Sequence, residues 1–128
     1  MDNTAEPRVT LTNTGVNVHP RTMAAHLLGL IEPLIELMEY FKRHEQAYGV
    51  NFDEQRQQAE DLIIEEANFL YAPDVEKFEA LDNKWSAWAD RLFERLQDAA
   101  LDLDFSDEKR RLDSFVDART AERARYFM

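Results

Sequence analysis

The chain has 128 residues, no cysteine, and 26 Asp+Glu against 15 Lys+Arg, for a formal net charge of −11. That is one domain's worth of chain, and at 45% hydrophobic it is too apolar for a disordered segment. Without cysteine there is no disulfide scaffold, no thiolate metal site and no cysteine nucleophile, and the negative charge disfavours direct nucleic-acid binding.

The charge is uneven. Residues 1–51 carry 6 acids and 4 bases, residues 52–108 carry 17 acids and 5 bases, and residues 109–128 carry 3 acids and 6 bases. A basic last helix packed beside an acidic middle lowers self-repulsion. The start, Met1 to Pro7, is acidic and polar, with no basic segment ahead of an apolar one. The most apolar stretch, Ala24 to Met38, is interrupted by His26, Glu32, Pro33 and Glu36, short of the roughly 18 uncharged residues of a membrane span. A cytoplasmic protein with no membrane partner is expected.

Residues 1–20 read as an N-terminal arm. Arg8 to Thr12 alternates apolar and polar, Asn13-Thr14-Gly15 supplies turn residues, and Val16-Asn17-Val18 alternates again. This is a weak β-hairpin pattern. An isolated hairpin is marginal in water, so the arm is expected to be extended on the body or partly disordered. Residues 21–128 are expected to form a single helical domain.

The first helix is predicted over Arg21 to Ala47, with Pro20 in its first turn and Gly49 at its exit. Met23, Leu27, Leu30, Ile31, Leu34, Met38 and Phe41 recur at steps of three and four, and Ala24, Leu28 and Ile35 widen the stripe. Pro33 removes the donor to the Gly29 carbonyl, so a bend is expected there, on the solvent side.

The second helix is predicted over Glu54 to Tyr71. Asp53 is its cap, Ala59, Leu62, Ile63, Ala67 and Leu70 its buried face, and Phe69 and Ile64 flank that face. The third is predicted from an Asp74 cap to Leu103, on a narrow seam of Phe78, Leu81, Trp85, Trp88, Leu92, Leu96, Ala99 and Leu103. At that length it outruns the second helix and must break, project, or find cover from the fourth helix or another chain. The fourth follows Ser106 as cap, with Leu112, Phe115, Val116 and Tyr126 on one face and Arg119 and Arg123 close to it. The fold class is all-α: an antiparallel bundle of three to four helices.

Catalytic and metal patterns are wanting. The histidines, His19, His26 and His44, follow Val16, Met23 and Phe41 by three residues, so no Glu-x-x-His motif exists. Asp102, Asp104, Ser106, Glu108 and Asp113 mimic a calcium-loop spacing, but Asp107 stands where the turn needs glycine; a helix end, linker and cap fits better. Ser86, Ser106 and Ser114 lack a Gly-x-Ser-x-Gly context. The pairs Glu32/Glu36/Glu39, Glu60/Asp61 and Glu65/Glu66 sit mostly opposite the apolar stripes, where a solvated face explains them. Lys109-Arg110-Arg111, Arg119, Arg123 and Arg125 are interleaved with acids and suit the negative end of a helix. No enzyme, metal or cofactor is expected.

The leading expectation is a non-enzymatic protein-binding module of inhibitor, immunity, anti-defence, adaptor or chaperone type. It would engage a basic protein through an acidic face made of Glu60, Asp61, Glu65, Glu66, Glu76, Glu79, Asp82 and Asp90. Trp85 and Trp88, one helical turn apart, are core residues or interface anchors. The alternative is an obligate homodimer that buries the third helix's seam and the fourth helix's face. A metal-dependent enzyme is the remaining alternative.

Overall fold

The computed structural model describes residues 10–12, 15–17 and 20–125, with side chains from residue 24 onward. Among the described residues four helices follow one another: α1 (Pro20–Tyr48), α2 (Asp53–Tyr71), α3 (Val75–Ala99) and α4 (Ser106–Ala124). Ahead of them, β1 (Thr10–Thr12) and β2 (Gly15–Asn17) pair antiparallel with Thr12 opposite Gly15, and β2 runs beside α2. Asn13, Thr14, His19, the rest of the arm and Tyr126 to Met128 lie outside the described residues.

Each helix packs on its neighbours in sequence, and α1 also packs on α4. The α1–α4 pair is antiparallel, since His26 approaches Glu122 whereas His44 meets Glu108. The α2–α3 pair is antiparallel too: Trp85 bonds to Glu66 and Trp88 to the Gln55 carbonyl. The four buried faces make one core. Leu30, Leu34, Leu37 and Phe41 meet Leu62, Phe69 and Leu70, then Leu81, Leu92 and Leu96, then Leu112, Phe115 and Val116. At its centre Trp85 packs edge-on against Trp88 and Phe115, with ring centroids 5.3 Å apart in both pairs.

Several sequence expectations change. Leu28 and Ile35 do not widen the buried stripe; they are 57% and 51% exposed. A helix with two bundle neighbours buries only the arc facing them, and these residues fall outside it. Pro33 faces the groove between α1 and α4, not solvent alone. Ile64 is exposed, and Phe69, Gln55 and Glu66 join the buried face of α2. The α3 helix stops at Ala99, not Leu103, which leaves Leu101 and Leu103 exposed in the turn that follows. Leu81, Trp85, Trp88, Leu92 and Leu96 of its seam are buried within the chain's own bundle.

The entries to α2 and α4 share one device. Asp53 and Ser106 are the first helical residues, not the caps. The cap position falls on Phe52 and Phe105, both buried. The residue before each phenylalanine does the capping: Asn51 accepts from the Asp53 N–H at 2.8 Å and Asp104 from the Ser106 N–H at 3.0 Å. The phenylalanine carbonyls then accept the first helical bonds, from Arg56 and Lys109. At α3 the expected cap holds, with Asp74 accepting from the Lys77 N–H at 2.8 Å. The exit of α1 uses Gly49 at φ +67°, and the Val50 N–H reaches back to the Glu45 carbonyl.

Candidate functional site

The acidic residues proposed from sequence fall into three environments. Glu60, Asp61, Glu76, Glu79 and Asp90 are exposed. Glu65 and Asp82 are half-buried: Glu65 is paired with Lys84 at 2.7 Å, and Asp82 accepts from the Thr120 hydroxyl of α4. Glu66 is buried at 1% exposure and belongs to the core, not to the acidic face. Trp85 and Trp88 are buried too, and their indole N–H groups are bonded to α2 at 3.0 and 2.8 Å.

The expected single face over α2 and α3 is divided. The groove between these helices is lined by Asp61 and Glu65 but also by Lys84 and Arg91, over a floor that includes Leu62 and Trp88. Its charge is mixed. Glu79, Asp82 and Asp90 lie on the opposite side of α3, toward α4, as helical spacing requires. Further along the α3–α4 side is a groove of about 560 Å3 lined by Asp104, Asp113 and Asp117 and also by Lys109 and Arg110. Thus α4, whose acids and bases balance, contributes Asp113 and Asp117 to a groove that also carries bases. Asp113 and Asp117 follow each other at a helical step of four; that spacing was the available signal, masked by the neighbouring run Lys109-Arg110-Arg111. Asp104, meanwhile, is engaged as a cap, and the Ser106 N–H and hydroxyl hold its carboxyl below the usual aspartate range.

A second cluster, buried, is the part sequence reasoning missed. All four helices meet at Glu66. Its Oε2 accepts from the Arg123 Nε–H of α4 at 2.9 Å and from the Trp85 Nε1–H of α3 at 3.0 Å, and its Oε1 lies 3.4 Å from His26 Nε2 of α1. Burial, the largest single influence, pushes the Glu66 carboxyl up. The His26 contact, the Arg123 charge and the Trp85 bond together outweigh it and leave the carboxyl below its ordinary value. Arg123 is fully buried; it also donates to the Phe78 carbonyl at 3.3 Å and lies over the Phe78 ring. One turn earlier, Arg119 donates to the Gly29 carbonyl at 3.2 Å and pairs with Glu122 at 3.0 Å. Gly29 is the residue whose helical donor Pro33 removes, so Arg119 supplies the missing bond from another helix.

The other end of the α1–α4 pair is also polar. His44 Nε2 lies 2.8 Å from Glu108, which accepts from the Tyr40 hydroxyl at 3.2 Å as well. Burial and the Glu108 carboxylate raise the Tyr40 hydroxyl pKa, against the opposing pull of Arg111 stacked 4.1 Å over its ring.

Among the described residues no group of histidines, acids or cysteines is placed to hold a metal ion, and no helix is long and apolar enough to cross a membrane. No family model matches the sequence, and no curated protein and no solved structure matches it.

Proposed function

We propose that the chain is a non-enzymatic protein-binding module that engages a basic protein partner, as an inhibitor or immunity factor, an anti-defence factor, or an adaptor or chaperone does. The observation that carries this reading is the concentration of 17 acids against 5 bases in residues 52–108. Exposed acids on a rigid helical frame steer a basic partner electrostatically and set a salt-sensitive association rate. The contact surface in this reading is the α3–α4 ridge of Glu79, Asp82, Asp90, Asp113 and Asp117. Glu60 and Asp61 form a separate patch and Glu76 an outlying charge; Glu65 is paired with Lys84, as Asp113 of the ridge is with Lys109. Glu66, Trp85 and Trp88 support the frame from inside. Neither nucleic acid nor membrane is the proposed partner. A cytoplasmic location and a division into an N-terminal arm of residues 1–20 and a helical domain of residues 21–128 are parts of the same proposal.

Capture of partners from host lysate at low and high salt tests it. A basic protein held at low salt, released at high salt, and lost by the triple variant Asp90→Lys, Asp113→Lys, Asp117→Lys is the expected result. A partner held equally at both salts would sink the electrostatic reading.

A second reading, a homodimer, is favoured by the outward Leu28 and Ile35 of α1 rather than by the α3 seam. Light scattering tests it: Leu28→Lys with Ile35→Lys should convert a species of twice the chain mass into a monomer, and a monomeric parent chain removes the reading.

A further inference from the structure

The groove between α1 and α4 plays no part in the acidic-face reading and has a different chemistry. It encloses about 410 Å3, within the range of small-ligand sites. Its floor is apolar, made by Pro33 and Leu37 of α1 and by Phe115 and Ala118 of α4. Its α4 side carries Arg110, Arg111 and Arg119, and its α1 side Glu36. In a chain of net charge −11, three cations gather on one apolar groove, with Glu36 opposite and Asp107 and Glu122 paired to two of them.

Two features of these arginines point to a ligand acid. Arg110 is paired with Asp107 at 2.6 Å and Arg119 with Glu122 at 3.0 Å, so among the described residues Arg111 is the groove arginine without a carboxylate partner. Its guanidinium is held at the rim by stacking on Tyr40. Arg119 is only 4% exposed, and its Nε and Nη1 have no hydrogen-bond partner among the described residues. Buried donors without acceptors cost free energy that an incoming acceptor recovers.

We propose that this groove binds a small monocarboxylate with an apolar body, its carboxylate between Arg111 and Arg119 and its body on Pro33, Leu37, Phe115 and Ala118. One unpaired cation opposite Glu36 suits a single negative charge better than the double charge of a phosphate monoester. The planar guanidinium fork matches a carboxylate. Because Phe115 lies edge-on to Trp85 at 5.3 Å, filling the groove shifts tryptophan emission.

The test is titration of the full chain with 4-phenylbutyrate, read by tryptophan emission and by calorimetry. Saturable binding at one site is expected, with 4-phenylbutanol and 4-phenylbutyl phosphate each at least about tenfold weaker. Ala118→Phe, at an exposed position, should plug the groove and abolish binding. Arg111→Gln should weaken it about tenfold, and Glu36→Gln, which removes nothing from the core, should strengthen it. Circular dichroism identifies any variant that fails to fold, and the Glu36→Gln and ligand-series arms stand without the other two. No saturation below about 10 mM, equal binding of the alcohol, or undiminished binding by a folded Ala118→Phe variant overturns the proposal. So does binding of an acidic, phenylalanine-containing peptide in place of phenylbutyrate.

Discussion

Glu66 is the residue on which the interior turns, because a buried carboxylate is tolerated only with its partners in place. Removing one side of a buried pair costs about 3–5 kcal/mol, while replacing both sides with packed apolar groups is often neutral or better. Glu66→Ala is therefore expected to lower unfolding free energy by about that amount, and Glu66→Met with Arg123→Met to recover most of it; urea denaturation of the three chains checks this. Since the folded carboxyl titrates below its ordinary value, its contribution is present above the unfolded-state value of 4.5 and is lost as pH falls through the folded one. Glu66→Gln should accordingly flatten the acid limb of the stability profile below about pH 4.5. Gln55 presents the opposite case. It is fully buried, and neither Nε2 nor Oε1 has a hydrogen-bond partner among the described residues. Gln55→Met removes that cost without removing volume, and should raise stability by about 1–2 kcal/mol in the same denaturation assay.

At the scale of elements, the Pro33–Gly29–Arg119 arrangement couples two helices through a single carbonyl. In Pro33→Ala the backbone N–H of residue 33 regains its acceptor, and Arg119 becomes partly redundant. A double-mutant cycle of Pro33→Ala with Arg119→Met should show a coupling of about 0.5–1.5 kcal/mol, measured by denaturation, with Arg119→Met the milder change in the alanine background. The helix entries make a similar point about legibility. The start of α3 was readable because Asp74 stands directly before it. The starts of α2 and α4 were misplaced by one residue because the capping side chains, Asn51 and Asp104, act across a buried phenylalanine. Asn51→Ala is expected to cost about 1 kcal/mol, and Asp104→Ala to lower the melting temperature. The stripes of α1 and α3 were plain, since their apolar spacing is local information. Leu28 and Ile35 were misread because an apolar residue does not announce whether a neighbouring helix will cover it. Arg119 and Arg123 stand close to the apolar face of α4 in the sequence, but the burial of Glu66 and the partners of all three were illegible for the converse reason: each is compensated by a residue on another helix, and sequence spacing carries no record of that pairing.

For the whole molecule, the net charge of −11 sets the balance between self-repulsion and pairing. Exposed pairs such as Arg91–Glu94 and Lys109–Asp113 are worth little and are weakened by salt. Repulsion among the unpaired acids is also screened, and it is the larger effect. Raising ionic strength from about 10 to about 150 mM should therefore raise the melting temperature, which a thermal scan at both salts would measure. The order in which the ribosome makes the helices adds a different constraint. The partners of Glu66 on α1 and α3 emerge before α4, but its guanidinium partner, Arg123, emerges on α4, as does the Arg119 that answers the Gly29 carbonyl. A nascent chain holding only the first three helices can set Glu66 against His26 and Trp85 but lacks its guanidinium partner. The buried cluster is complete only when the fourth helix is out, so α4 acts as the latch that seats last during synthesis.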